Sequence, residues 1–310
     1  MARRVGTTEL HGVLLLDKPT GLSSNAALQR VRHRLGRPKA GHTGTLDPLA
    51  TGLLPLCIGE ATKFSHALLN AGKTYEASIR FGFRSSTGDA EGELDWISIP
   101  DIDHEKLLGA IASLTGEIDQ MPPMFSALKV GGRPLYALAR KGLEVERKPR
   151  RVCIARMELL EYSAETARLS ITCSKGTYIR VLAEDLGTRL GCGGYLLELR
   201  RTAVGPFDVM DAVPLSVLDS EPATVIAGKL LPVDTLLYEL PRLELMQASS
   251  ERLANGLSID PGEREGGLEG LVRLYGPDGT FLGIGEMQAP RKLVPRRLMA
   301  TRAVETTITP

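Results

Sequence analysis

Cysteine is sparse in this 310-residue chain, and its four copies, Cys57, Cys153, Cys173 and Cys192, lie far apart. No CxxC pair exists, which excludes a zinc ribbon and a thioredoxin-like redox motif. Such thiols suit packed strands in a reducing compartment, so a cytoplasmic protein is expected. No apolar run approaches the roughly 18 residues that cross a bilayer. The opening residues, MARRVGTTELHG, lack the apolar core of a secretion signal. An excess of one charge is also missing: the formal net charge is +1, so bulk electrostatics alone do not call for a nucleic-acid partner.

The placement of the charge is more informative than its sum. From Lys18 to Leu46 there is no acid, yet Arg30, Arg32, Arg34, Arg37 and Lys39 fall there. Lys129, Arg133, Arg140, Lys141, Arg147, Lys148, Arg150 and Arg151 face only Glu144 and Glu146, and Arg291 to Arg302 holds five basic residues and no acid. Acids gather instead in Asp89 to Glu105, which holds no Lys or Arg. One such run is ordinarily a solvated helix face; three together point to a positive surface on a neutral protein.

With 43% hydrophobic residues, the chain suits a large core and, at roughly 150 residues per domain, about two domains. GVLLL (12–16) predicts a buried strand stopped by Asp17-Lys18-Pro19. Ser23 or Ser24 caps a helix to about Leu35 with Ala27, Leu28, Val31 and Leu35 inward. A loop follows from Ala40 into a strand near Leu53 to Ile58, then a helix over 61–70. Lys73 to Phe81 alternates cleanly and places Tyr75 on the inner face of a strand. A helix is predicted over 104–114, a hairpin near 128–133 and a basic helix over 135–141. Further strands are predicted over 152–162, 167–173 and 195–204, around a helix over 177–190. Residues 206–241 suit a connector with one or two helices. Short apolar segments between Gly and Pro turns thereafter favour a small β domain. The class is α+β.

Three segments hold candidate chemistry. GHTGTLDPLATG (41–52) is glycine-rich but lacks the Gly-Lys-Ser/Thr ending of a phosphate loop. It carries one carboxylate, Asp47, which is ordinarily a turn acceptor and becomes catalytic only if a cation keeps it ionised in a dry site. SKGTYIR (174–180) offers Arg180, equally suited to a structural ion pair, and Tyr178, suited to stacking or packing. Lys73-Thr74-Tyr75 places Tyr75 where it packs or meets a base. His42 is a satisfied loop histidine or a filler for the gap left by an extruded base.

Taken in order, GVLLLDKPTGLSSN, GHTGTLDPLATG, KTYEASIRFG, SKGTYIRVLAEDLG and YLLELRRTAVG resemble the blocks of the TruB family of pseudouridine synthases. The likeness is strong from Gly12 to Val204 and weaker beyond, where GLVRLYGPDG and PRRL are similar to a PUA-like domain. It implies a pseudouridine synthase fold: a central mixed, largely antiparallel sheet flanked by helices, with a small C-terminal PUA-like β domain. Residues 1–240 would be catalytic, with a thumb insertion at about 122–151 that grips the tRNA elbow, and 241–310 would bind RNA.

Residue by residue, the resemblance makes Asp47 the catalytic aspartate, Tyr75 the tyrosine stacked on the target base and Arg180 the partner of the aspartate. Lys18, His42, Tyr178 and Leu199 would line the RNA site, Lys18 with Pro19 shaping its floor. The implied reaction isomerises uridine to pseudouridine at position 55, in the T loop of tRNA. It needs no cofactor or metal, because nothing is oxidised and no group is gained. Whether Asp47 attacks C1′ or only stabilises charge there stays open, as does the base that takes the C5 proton. Two alternatives are a guide-RNA-dependent synthase, disfavoured by the thumb-like segment, and a tRNA-folding chaperone without chemistry. No self-pairing surface is legible, so a monomer is expected.

Overall fold

The structure, a computed structural model, describes residues 10–126, 128–261, 268–289 and 291–300. The opening segment, the ends of the turn region 257–263 and of the basic run 291–302, and part of the C-terminal range lie outside them.

Ten strands form one sheet. They are β1 (Gly12–Lys18), β2 (Ala40–His42), β3 (Thr51–Ile58), β4 (Lys73–Phe81), β7 (Gly116–Gln120), β10 (Arg150–Tyr162), β11 (Thr166–Cys173), β12 (Gly194–Val204), β13 (Phe207–Asp208) and β14 (Val213–Pro214). Two hairpins stand apart, β5 (Phe83–Ser85) with β6 (Leu94–Trp96) and β8 (Lys129–Val130) with β9 (Arg133–Pro134). The main path runs β14-β1-β3-β12-β4-β11-β10-β7, with β2 on β3 and β13 on β12. Only β1–β14 and β3–β12 are parallel, so the mixed, largely antiparallel sheet is as expected.

Helices α1 (Ser24–Arg34), α3 (His104–Ser113) and α5 (Ile179–Arg189) contribute to the larger core with one sheet face. Ser23 caps α1 by accepting from the Ala26 amide at 3.1 Å, and Ala27, Leu28, Val31 and Leu35 are buried as the spacing predicts. β1 is buried on both sides: Leu14 and Leu16 join this core, Val13 and Leu15 a second one with Phe64, Phe207 and Leu236. A strand covered on both faces has no polar side, hence the unbroken run GVLLL.

Several expectations need correction. β1 continues through Asp17 and Lys18 because Asp17 stays paired with Leu53, and Lys18 with Gly52. The helix expected over 61–70 splits into a 3₁₀ turn, Gly59–Lys63, and a short α2 (Ser65–Leu69). The basic helix shortens to α4 (Leu135–Ala139). Cys57, Cys153 and Cys173 lie in strands, but Cys192 sits in the turn after α5; all four are free. β2, β7 and the β5–β6 hairpin escape sequence reading: they are short, and sheet pairing rather than their own patterning holds them.

The connector holds α6 (Leu215–Ser220) and α7 (Ala223–Gly228). A parallel pair of β15 (Arg242–Glu244) and β16 (Gly270–Tyr275) then leads to antiparallel β17 (Phe281–Gln288) and β18 (Lys292–Leu298), with α8 (Gln247–Ala254) packed alongside. This small C-terminal β domain has its own core of Leu243, Leu253, Val272, Leu274 and Leu293. It meets the main body where Phe281 lies edge-on to Phe64 (5.6 Å) and the Tyr275 hydroxyl donates to Asp234 at 2.6 Å. Among the described residues no helix is long and apolar enough to cross a membrane.

Candidate active site

The site forms where three chain segments far apart in sequence converge on the sheet: the 43–50 loop, the start of α5 and the turn after β5. The loop is held from below. Ser24 Oγ donates to the Leu46 carbonyl (2.9 Å) and accepts from the Leu46 amide (2.7 Å), and the Gly21 amide donates to the Pro48 carbonyl. Lys18, expected to line the RNA site and shape its floor, is wholly buried. Its ammonium donates to the carbonyls of Pro19, Leu22 and Pro48 at 2.8, 2.7 and 3.5 Å. It therefore ties the end of β1 to the carbonyl that follows Asp47. Burial lowers its pKa to about 8, against the pull of the nearby Asp47.

Glycine allows the close approach that brings this loop to β12. A Cβ at Gly52, whose φ is +98°, would lie 2.3 Å from the Arg201 carbonyl oxygen. Only a residue without a side chain lets β3 run this close to β12.

Arg180 is the centre of the charge network. It stands at the second position of α5, nearer the helix start than the sequence suggested, because Tyr178 is the N-cap. Its side chain is 5% exposed, and every nitrogen is used. Nη1 donates to the Thr87 carbonyl (2.9 Å) and Nη2 to that of Phe125 (2.7 Å), while Nε lies 3.0 Å from Asp47 Oδ2 and 3.5 Å from Asp89 Oδ2. The two carboxylates differ sharply: Asp47 keeps 42% of its side chain accessible and Asp89 only 4%. One guanidinium thus balances a sealed acid and an open one.

Asp89 is the residue that sequence reading missed. It opens the acidic run 89–105, which reads as a solvated face. Its neighbours Gly88 and Ser85 give a turn signal, but nothing local says that the turn folds under α5. In the structure Asp89 accepts from Thr87 Oγ1 (2.6 Å) and the Glu91 amide (3.1 Å).

Burial raises the Asp47 carboxyl above its ordinary value, opposed by Arg180 and assisted by the negative charge of Asp89. Ionisation is what the proposed chemistry needs, so the acid limb of the pH–rate profile is expected above 3.8, with activity appearing as pH rises. Asp89→Asn removes a repelling charge and leaves Arg180 to Asp47 alone. Its acid limb is expected at lower pH than the parent's, measured as single-turnover rate against pH; an unmoved or higher limb refutes the coupling.

The other expected residues lie in β2, in β4, in β12 and at the start of α5. Tyr75 is buried in β4, opposite Arg201 of β12 and Ile171 of β11. Burial raises its phenol pKa, and Arg201 opposes the rise. Tyr178 is half-buried, its amide and carbonyl both held by the Gln120 side chain (2.9 and 3.1 Å). Leu199 is buried in β12, its carbonyl accepting from Thr51 Oγ1 at 3.4 Å. His42, in β2, has a buried Nδ1 without a hydrogen-bond partner, and burial, then Arg201, lowers its pKa. Such an imidazole is neutral at ordinary pH.

A cleft of about 600 Å³ lies beside this network, lined by Thr87, Phe125, Leu143, Arg147 and Glu184, between the 121–147 segment and α5. Among the described residues no group of three or more His, Cys, Asp or Glu side chains converges as a metal site would require. The arrangement can present one accessible carboxylate, aimed by a guanidinium, to a polar ligand.

Comparison with known proteins gives concordant results. Residues 32–179 match the TruB family pseudouridylate synthase N-terminal domain. Residues 180–238 match the tRNA pseudouridylate synthase B C-terminal domain, and 241–299 match the pseudouridine synthase II TruB C-terminal domain. A protein of Aromatoleum aromaticum named tRNA pseudouridine synthase B is 53% identical over 94% of each chain. One of the same name in Chromohalobacter salexigens is 48% identical over 98% of this chain and 99% of its own. Among solved structures, a chain of a Cbf5-Nop10-Gar1 complex is 25% identical, with a TM-score of 0.70 over 93% of this chain and 84% of its own.

Proposed function

Because this chain belongs to the TruB family of pseudouridylate synthases, we propose that it isomerises uridine to pseudouridine in the T loop of tRNA, at position 55. The name shared by its relatives supports tRNA as the substrate. The observation that carries the chemistry is the accessible Asp47 carboxylate on an otherwise sealed Arg180 guanidinium.

The target base must first leave its stack, at a cost of a few kcal/mol. Loops are favourable targets because their bases splay out readily. Asp47, held ionised and aimed by Arg180, then attacks C1′ or stabilises positive charge there as the N-glycosidic bond breaks. The detached uracil turns between Tyr75 and Leu199, C5 joins C1′ (breaking any bond that Asp47 has formed there), and the proton lost from C5 is matched by one gained at N1. We assign His42 and Tyr178 to the wall of the same pocket. Residues 1–240 are read as the catalytic domain, 122–151 as a thumb over the cleft and 241–310 as an RNA-binding, PUA-like domain.

The decisive assay incubates the purified protein alone with unmodified tRNA carrying tritium at uridine C5. Release of tritium mapped to the T loop supports the proposal. Release elsewhere sinks the site assignment, and no release sinks the stand-alone activity. A guide-dependent synthase is the second reading, favoured by the likeness to a chain solved together with two other proteins in a Cbf5-Nop10-Gar1 complex; in that case the protein alone stays silent.

The thumb supplies a separate test. Arg140, Lys141, Lys148 and Arg150 are exposed. Changing all four to glutamine is expected to weaken tRNA binding and to flatten its salt dependence, by up to roughly 0.7–0.9 in log–log slope per lost phosphate contact. An unchanged slope in a filter-binding titration from low to high salt removes this surface from the interface.

A further inference from the structure

Arg201 is as deeply buried as any side chain in the molecule, yet among the described residues it forms no ion pair. A buried charge without a counter-ion is costly, and an apolar side chain of similar volume would fill the same space at less expense. Two further buried cations deepen the cost. Lys18 and Lys73 are held to about 8 chiefly by burial, and the charge of Arg201 lowers both further. What the guanidinium touches accounts for its retention. Nε donates to the Leu53 carbonyl at 2.7 Å and Nη2 to the Gly44 carbonyl at 3.2 Å. Gly44 lies three residues before Asp47 on the same loop. In the β4–β12 pairing Arg201 stands directly opposite Tyr75, on the same inward face, and interacts with its hydroxyl. One rigid, forked cation therefore joins β3, the Asp47 loop and Tyr75.

We propose that Arg201 is a positioning residue that sets the Tyr75 hydroxyl against the Asp47 loop, so that the two groups flanking the target nucleotide keep one spacing through the reaction. The inference rests on the pseudouridine synthase reading above. It explains why a charge is kept here: two hydrogen bonds and a charge set opposite Tyr75, all from one planar group, reach β3, the Asp47 loop and β4, which neither a leucine nor a methionine does.

The test measures single-turnover conversion and tRNA affinity for the parent, Arg201→Met, Arg201→Lys, Tyr75→Phe (which keeps the ring) and the Arg201→Met/Tyr75→Phe double variant. Displacing a reacting group by about 1 Å costs about a hundredfold in rate, so that loss is expected for Arg201→Met, about tenfold for Arg201→Lys, with affinity within about threefold throughout. The double variant is expected to be no more than about twofold slower than Tyr75→Phe, because the two residues act as a unit. Multiplicative losses, a lost affinity that tracks the lost rate, or Arg201→Met within about threefold of the parent overturns the proposal. Should Arg201→Met fail to fold, the same cycle runs on Arg201→Lys; a loss that is equal with Tyr75 and with Phe at position 75, or no loss, then overturns it. If the parent itself converts no tRNA, the functional reading fails rather than this one.

Discussion

Asp47→Asn is expected to abolish pseudouridine formation, lowering single-turnover conversion by at least about four orders of magnitude, on the scale seen when a nucleophile or its equivalent is removed. Asparagine is almost the same size and still accepts from Arg180 Nε through its oxygen, but it carries no charge and is no nucleophile. Affinity for tRNA is expected to stay near the parent value, because the proposed binding rests on the basic surfaces and not on one carboxylate. The variant also separates catalysis from any chaperone action, which would survive in it.

The effect on stability has a definite sign. Burial raises the folded-state pKa of Asp47 above its ordinary value, so the folded protein binds this proton more tightly than the unfolded chain does. The ionised carboxylate therefore costs stability. That cost is absent below the unfolded-state pKa and fully present above the folded-state one. At neutral pH Asp47→Asn removes it, and the thermal midpoint is expected at or above the parent's. Conversion within tenfold of the parent would remove Asp47 from the chemistry.

Arg180→Ala is expected to do damage of a different kind. It strands Asp89, 4% exposed, without its cation, and it removes the donors to the Thr87 and Phe125 carbonyls. Breaking a buried pair in this way costs about 3–5 kcal/mol, so the unfolding midpoint in denaturant should fall with it. The rate should fall by at least about a thousandfold, since the charge that aims Asp47 is gone. The pair of variants is diagnostic: Asp47→Asn is inactive but stable, Arg180→Ala inactive and destabilised. An Arg180→Ala protein as stable as its parent would contradict the network geometry, and one retaining activity within tenfold would contradict its role.

Much of this was readable from the chain, for a physical reason. The alternation of Lys73 to Phe81 places Tyr75 inward whatever the neighbours are, because a strand repeats every two residues. The α1 stripe and its Ser23 cap follow from the helix period and from the unpaired amides at a helix start. A loop such as GHTGTLDPLATG, too apolar for solvent and too rich in glycine for a helix, already isolates Asp47 as an acid in an unusual setting.

Pairing across the fold was not readable. Asp89 looks like one acid among seven, and only the turn after β5, folding beneath α5, puts it on Arg180. Lys18 carries no local sign of the three backbone carbonyls that enclose it. Arg201 sits beside Arg200 in sequence. Strand alternation sends Arg200 outward to Asp17, at 2.8 Å, and Arg201 into the core, but nothing local says which of the two goes in.

The sequence by itself determined the longer elements, the faces they bury and the loop that carries the acid, because those depend on period, turn chemistry and the backbone freedom of glycine, all of which act over a few residues; the short strands that sheet pairing holds were not among them. Tertiary structure alone decided which charges share a guanidinium and which are sealed from water. Those energies depend on distance and burial between segments dozens of residues apart, and chain order does not encode them locally.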